Sequence, residues 1–230
     1  MPDVTLITCT GLRPDAFELC KLWMGRQTFR GAVQWIVVDD GEWPSKTTQD
    51  QTVVRPTPPW RMGQVTLQRN LREAILLVKS DKVLIIEDDD YYAPEYVERM
   101  VQRLDEASMV AETGTYYYHV RQRRYMDCRN SKHGSLFQTG LRRAILPKLQ
   151  ALCSTASYFL DLGIWSEVAD RKLFPPSRLS LGVKGMPGRA GIGMGHREHP
   201  NWAPDLELDF LKDYIGGGNA QRYAPYYRAS

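Results

Sequence analysis

Val83-Leu84-Ile85-Ile86 runs without a break into Glu87-Asp88-Asp89-Asp90. A short apolar run of this kind reads as a strand buried on both faces. Four adjacent carboxylates immediately after it are costly at neutral pH, because like charges so close together raise one another's pKa unless a cation offsets them. The acids therefore need compensating positive charge, which a metal ion supplies. Hard oxygen ligands of this type suit Mg²⁺ or Mn²⁺; a solvated acidic turn is the alternative. Open α/β sheets bind ligands at the carboxyl ends of their strands, which favours a site here.

The remainder of the N-terminal half alternates strand and helix patterns. Val4 to Thr8 and Val33 to Val38 predict buried strands, the second ending in Asp39-Asp40-Gly41. Helical spacing covers Phe17 to Met24, Met62 to Lys79 and Pro94 to Leu104, while the polar segment 41–59 holds Thr52-Val53-Val54 as a short strand at most. This order predicts an α/β fold, a mostly parallel sheet flanked by helices. Beyond residue 107 the alternation fails. Ser108 to Tyr118 and Val120 to Met126 predict antiparallel strands, Gly140 to Leu152 and Ala156 to Val168 predict helices, and Pro175 to Pro204 predicts a glycine-rich loop stretch.

With 230 residues, 43% hydrophobic and 25% charged, the chain can bury one sizeable core, which excludes disorder and collagen-like structure. Its four cysteines form no C-x-x-C pair, which fits a reducing compartment rather than a disulfide or thiolate-zinc scaffold. No secretory leader is visible, and no apolar run reaches the ~20 residues of a membrane helix. A cytoplasmic protein without a membrane partner is expected.

The segments Val4-Thr5-Leu6-Ile7-Thr8-Cys9-Thr10 with Arg13, Trp35 to Gly41, Gln68-Arg69-Asn70 and Leu84 to Pro94 occur in an order and spacing that resembles the GT-A glycosyltransferases. These are nucleotide-sugar-dependent enzymes with a Rossmann-like sheet and an Asp-x-Asp motif. The resemblance implies a single GT-A-like domain, with residues 1–106 as the nucleotide-sugar-binding half. Residues 107–230 would form the acceptor half, with a glycine-rich lid and a tyrosine-rich tail. It implies that Thr8, Thr10 and Arg13 line the nucleotide pocket, that Asp39 or Asp40 contacts base or ribose, and that Arg69 approaches the nucleotide or diphosphate. The metal register is open: Asp88-x-Asp90 fits the literal motif, whereas counting back from Pro94 matches Glu87-x-Asp89. Asp88, Asp89 and Asp90 are taken as metal ligands, with Asp88 also near the donor, and Mn²⁺ or Mg²⁺ as cofactor.

In Tyr158-Phe159-Leu160-Asp161 the resemblance implies Asp161 as catalytic base, although Leu160 stands where an acid is usual. From the stretch Gly182 to His196 it implies His196 as a further metal ligand and Lys184 or Arg189 as a phosphate contact. Between residues 121 and 143 seven cations face one acid, Asp127. Arg121, Arg123, Arg124, Arg142 and Arg143, with His133 and Ser135, are the expected acceptor-binding residues. Such a patch suits a phosphate backbone, and Tyr223, Tyr226 and Tyr227 beside Arg222 and Arg228 suit nucleic acid as well. The small size and basic half resemble bacteriophage glycosyltransferases. The expected function is transfer of a sugar, from a UDP-sugar, to a hydroxymethylated pyrimidine in duplex DNA. A polysaccharide, glycolipid or protein acceptor, or a non-catalytic nucleic-acid-binding module, is the alternative.

Overall fold

The computed structural model describes residues 1–155, 159–191, 196 and 201–227. In chain order the elements are β1 (Val4–Thr10), α1 (Pro14–Met24), β2 (Val33–Asp39), β3 (Gln51–Val54), α2 (Leu67–Ile75), β4 (Lys82–Ile85), β5 (Tyr91–Tyr92), α3 (Tyr96–Arg103), β6 (Met109–Glu112), β7 (Tyr116–His119) and β8 (Arg124–Asp127). They continue with β9 (Thr139–Arg142), α4 (Leu146–Leu152), α5 (Leu160–Glu167), β10 (Arg171–Phe174), β11 (Ser180–Lys184), β12 (Ala203–Pro204), α6 (Asp209–Ile215) and α7 (Gly217–Ala220).

A seven-stranded sheet has the order β10-β6-β9-β4-β1-β2-β3. Only β9 runs against the other six, because it pairs antiparallel with both β4 and β6. Its central strands are apolar on both faces, so alternate residues feed two cores. Leu84 and Ile86 pack with α1, α3 and α6 on one side. Val83 and Ile85 pack with α2, α4 and α5 on the other. This is the mostly parallel, helix-flanked sheet that the alternation predicts. A smaller sheet, β12-β8-β7-β11-β5, stands beside it.

Four expectations about elements are corrected. The helix expected over Met62 to Lys79 is confined to α2, because Thr66 gives its hydroxyl to buried Asp40 and fixes where the helix begins. Gly140 opens a strand rather than a helix: it lies between Leu84 and Val110, where any side chain would press on both, and β9 thereby fills the gap between β4 and β6. Ser108 to Tyr118 is two strands in different sheets, broken at Gly114, whose φ of +63° turns the chain. The stretch from Pro175 onward contains β11, buried along its whole length.

The C-terminal aromatics also pack inward. Tyr223 is fully buried against Trp23, and Phe210 stacks on Tyr125 at 3.9 Å between ring centroids. Tyr226 and Tyr227 are half-buried, so these rings do not form the exposed stacking face expected for nucleic acid; Arg228 lies outside the described residues.

Candidate active site

The carboxyl ends of β1 and β4 open into a cleft of about 820 Å³. Thr10, Arg13, Asp88 and Asp89 form its floor, the start of α2 one end, and Tyr117, His133 and Ser135 the side facing the small sheet. Lys184, Arg189 and His196 come from the C-terminal half, and Asp161 from the first turn of α5, where a carboxylate is favoured by the helix dipole.

The acid run splits by side-chain direction. Asp88 turns toward β1, accepting from the Thr10 hydroxyl at 2.7 Å and from Arg13 at 2.6 Å. The other guanidinium nitrogen of Arg13 reaches Asp89 at 2.5 Å. Asp90 is fully buried; its Oδ1 accepts from the Val183 backbone N–H at 2.7 Å and from the Lys184 ammonium at 3.0 Å. Glu87, Asp89 and Asp90 each offer an oxygen within 4.8 Å of the others. The structure therefore groups the Glu87-x-Asp89 register with Asp90 and leaves Asp88 out of the cluster.

These residues fit a divalent cation. Arg13 and Lys184 are the two cations bonded to the run, which has four acids, so each cation is shared among more than one carboxyl group. Asp90 Oδ2 is buried without a hydrogen-bond partner, an acceptor position that is costly to leave unused. Burial pushes the Glu87 carboxyl up to about 7, against the pull of Lys184. Burial likewise raises Asp88 to about 6, with Arg13 opposing. At Asp89 burial is outweighed by Arg13, Lys184 and His196, which hold the carboxyl well below its usual range. Burial and the Lys184 charge lower His196 to about 3, so its imidazole is neutral and free to ligate. Its Nε2 is 3.6 Å from Asp89 Oδ2.

Several residues expected at the nucleotide lie behind the cleft wall. Thr8 is fully buried and accepts from the Trp35 indole at 3.0 Å. Asp39 is saturated by the N–H groups of Gly41 and Ser45 and by Arg55. Asp40 accepts from Thr66, from Asn70 at 2.8 Å and from Arg189 at 2.7 Å. Arg69 bonds the Pro58 carbonyl at 2.7 Å and approaches Asp40 at 3.4 Å. None of these four lines the cleft. Arg189 does, lying over the Trp60 ring at 4.6 Å. Its loop docks at Gly188, whose φ is +97° and whose Cβ, if present, would collide with the Leu12 carbonyl. Residues 192–195 of the glycine-rich stretch lie outside the described residues.

The expected acceptor residues separate. His133 and Ser135 face the cleft, and Ser135 Oγ is 3.1 Å from the Tyr117 hydroxyl. Arg123 and Arg124 reach back to the Leu206 and Trp202 carbonyls. Arg121 is exposed near the β7–β8 turn. Arg142 bonds Asp81 and Asp105 at the amino end of β4, and Arg143 follows it there. This is the end of the strand opposite the acids, so the seven cations do not form one acceptor surface. Trp60, Thr66, Asn70 and Tyr117 are cleft residues that the sequence reading did not single out. Asn70 closes the Gln68-Arg69-Asn70 segment and was the one with a local signal.

A mostly parallel sheet with one reversed strand and an acidic turn at the carboxyl end of its central strand is the arrangement of the GT-A fold. Residues 26–161, more than half of the chain, match the family described as Glycosyl transferase family 2. The chain belongs to that family. Among curated protein sequences none matches it. S. aureus TarS 1-349 shares the fold at a TM-score of 0.58 and 13% identity, over 79% of this chain and 60% of that one. The mannosyltransferase PcManGT from Pyrobaculum calidifontis, in complex with GDP-Man and Mn²⁺, has a TM-score of 0.57 and 16% identity, over 81% of this chain and 59% of that one. TarS 1-349 in complex with UDP-GlcNAc gives 0.56 and 13%, over 86% and 62%. The chain thus spans about three fifths of the length of these solved relatives. Among the described residues, no helix is long and apolar enough to cross a membrane.

Proposed function

We propose that this chain is a glycosyltransferase that depends on Mn²⁺ or Mg²⁺ and moves a sugar from a UDP-linked donor to a hydroxyl acceptor held at Asp161. The observation that carries this reading is the convergence of Glu87, Asp89 and Asp90 on one point of the cleft, with Arg13 and Lys184 beside them. A bound divalent ion supplies Lewis-acid stabilisation to a diphosphate leaving group. Arg13 keeps Asp89 aimed into the cleft, Thr10 and Arg13 orient Asp88, and Arg189 covers the end nearest α2. Asp161 takes the acceptor proton as general base. Support for the donor class comes from relatives that hold UDP, UDP-GlcNAc or GDP-Man.

For the acceptor, a hydroxymethylated pyrimidine in DNA is supported by the density of arginine between residues 121 and 143. A saccharide, lipid-linked or protein hydroxyl is favoured by the dispersal of those arginines and by Phe159 and Leu162, which stand exposed at the rim beside Asp161. Donor turnover should require Mn²⁺ or Mg²⁺, stop with a chelator and fall in Asp89→Ala. Turnover indifferent to both would overturn the proposal. Calorimetry with UDP against GDP tests the donor. Nucleoside mass spectrometry after incubation with donor and hydroxymethylated duplex DNA decides between the acceptors.

A further inference from the structure

Lys184 stands where a metal ion would. Its Nζ lies 3.0 Å from an oxygen of Asp90, 3.6 Å from one of Asp89 and 3.8 Å from one of Glu87. Those three acids are the ones whose oxygens come within 4.8 Å of one another. The ammonium thus sits at their common focus, its side chain only 4% exposed. A second observation is independent of the lysine: Asp90 Oδ2 is buried in the same place and has no hydrogen-bond partner. The pocket has acceptor capacity that Lys184 does not use.

We propose that Lys184 is the resident counter-ion of this pocket and that a divalent cation enters by displacing its ammonium, so that one side chain sets metal affinity. The inference rests on the metal-dependent reading above. Carboxylate oxygens bind Mg²⁺ at about 2.0–2.1 Å. An ion held so closely by these acids would lie within a few ångströms of Nζ, where the two positive charges repel strongly in a buried setting. Arg13 need not move, because one of its two carboxylates, Asp88, lies outside the cluster. Lys184 can move. It is the last residue of β11 and its side chain lines the open cleft, so the contacts it gives up on leaving are those to the acids and the weaker ones over the Tyr117 and Phe137 rings, at 5.5 and 6.0 Å from their centroids. Swung outward, the ammonium would meet the diphosphate side of a bound donor.

The test is Mn²⁺ titration of the metal-free protein, followed by calorimetry and by the paramagnetic resonance of free Mn²⁺. Lys184→Gln should bind Mn²⁺ at least ~10-fold more tightly than the unaltered protein, whereas Lys184→Arg, which keeps the charge, should bind no more tightly. Equal or weaker binding by Lys184→Gln overturns the inference. A second measurement needs no variant. Acetic anhydride labelling read by mass spectrometry should spare Lys184 without metal and modify it once Mn²⁺ saturates the site; protection unchanged by Mn²⁺ overturns the inference too. Asp89→Asn separates the two levels. If it loses Mn²⁺ binding while Lys184→Gln gains none, only the counter-ion role fails. If the unaltered protein and Lys184→Gln both show no saturable binding, the underlying metal-dependent reading fails.

Discussion

Arg13 holds Asp88 with one guanidinium nitrogen and Asp89 with the other, yet only Asp89 also faces Lys184 and His196. The two neighbours should therefore respond differently to the same change. Asp89→Asn is expected to lower Mn²⁺ affinity by at least ~100-fold, since it removes a ligand. Asp88→Asn removes a carboxylate outside the cluster and should shift affinity by no more than ~10-fold, as for an outer partner. Calorimetry that found the reverse order would place the metal on the Asp88-x-Asp90 register. Asp161 invites a separate expectation. Loss of a general base costs roughly 10²–10⁴ in rate, so Asp161→Asn should lose that much transfer while binding UDP unchanged; a matching loss of UDP affinity would assign it to the donor instead. The acidic run was legible because four charges after an apolar strand have few physical solutions. Which of them share a focus was not, because neighbouring carboxylates in a turn point in different directions and sequence does not record side-chain direction. Asp39 and Asp40 show the same limit: both stand at the end of a buried strand, and both are consumed by loop and helix donors.

Asp40 links three elements rather than touching a ligand. It directly follows β2, accepts from Thr66 and Asn70 at the start of α2, and receives Arg189 from the loop after β11. The carboxylate is fully buried, so its charge is matched by these donors and not by water. Asp40→Asn should destabilise the protein by about 3 kcal/mol, the usual scale for breaking a buried ion pair, and should raise the donor KM, because Arg189 and the start of α2 both form the cleft wall. Denaturant titration and donor kinetics check the two parts, and a stability change below about 1 kcal/mol would show that Asp40 is not the hub. The strands β1, β2 and β4 were legible because their apolar runs feed two cores at once. β9 and β11 were not. Each contains a glycine, and their strand state is decided by partners far along the chain, β4 and β6 for one and β7 for the other. Local periodicity carries no information about such partners.

Across the whole molecule, charge that is contiguous in sequence is not contiguous in space. β4 carries the acids at its carboxyl end, while Arg142 pairs with Lys82 at its amino end and Arg143 follows. A four-residue strand already separates its ends by roughly 10 Å at ~3.3 Å per residue. Arg123 and Arg124 are spent on backbone carbonyls of the C-terminal segment, which leaves Arg121, Arg129 and Lys132 as the exposed cations on the His133 side of the cleft. If duplex DNA reaches Asp161, few phosphates can be neutralised along its path. Each contributes a slope of about −0.9 in log K against log salt, so the expected total is shallow, about −2 to −3. A filter-binding series from 50 to 200 mM salt measures it. A slope near −6 would require all the basic residues between 121 and 143 to engage one duplex together, which their positions at opposite ends of β4 do not allow without a rearrangement of the acceptor half. A shallow slope with efficient transfer to a saccharide would instead assign recognition to the cleft itself, where Phe159, Leu162 and Tyr117 offer apolar faces and Ser135 and His133 offer polar contacts around the Asp161 carboxylate.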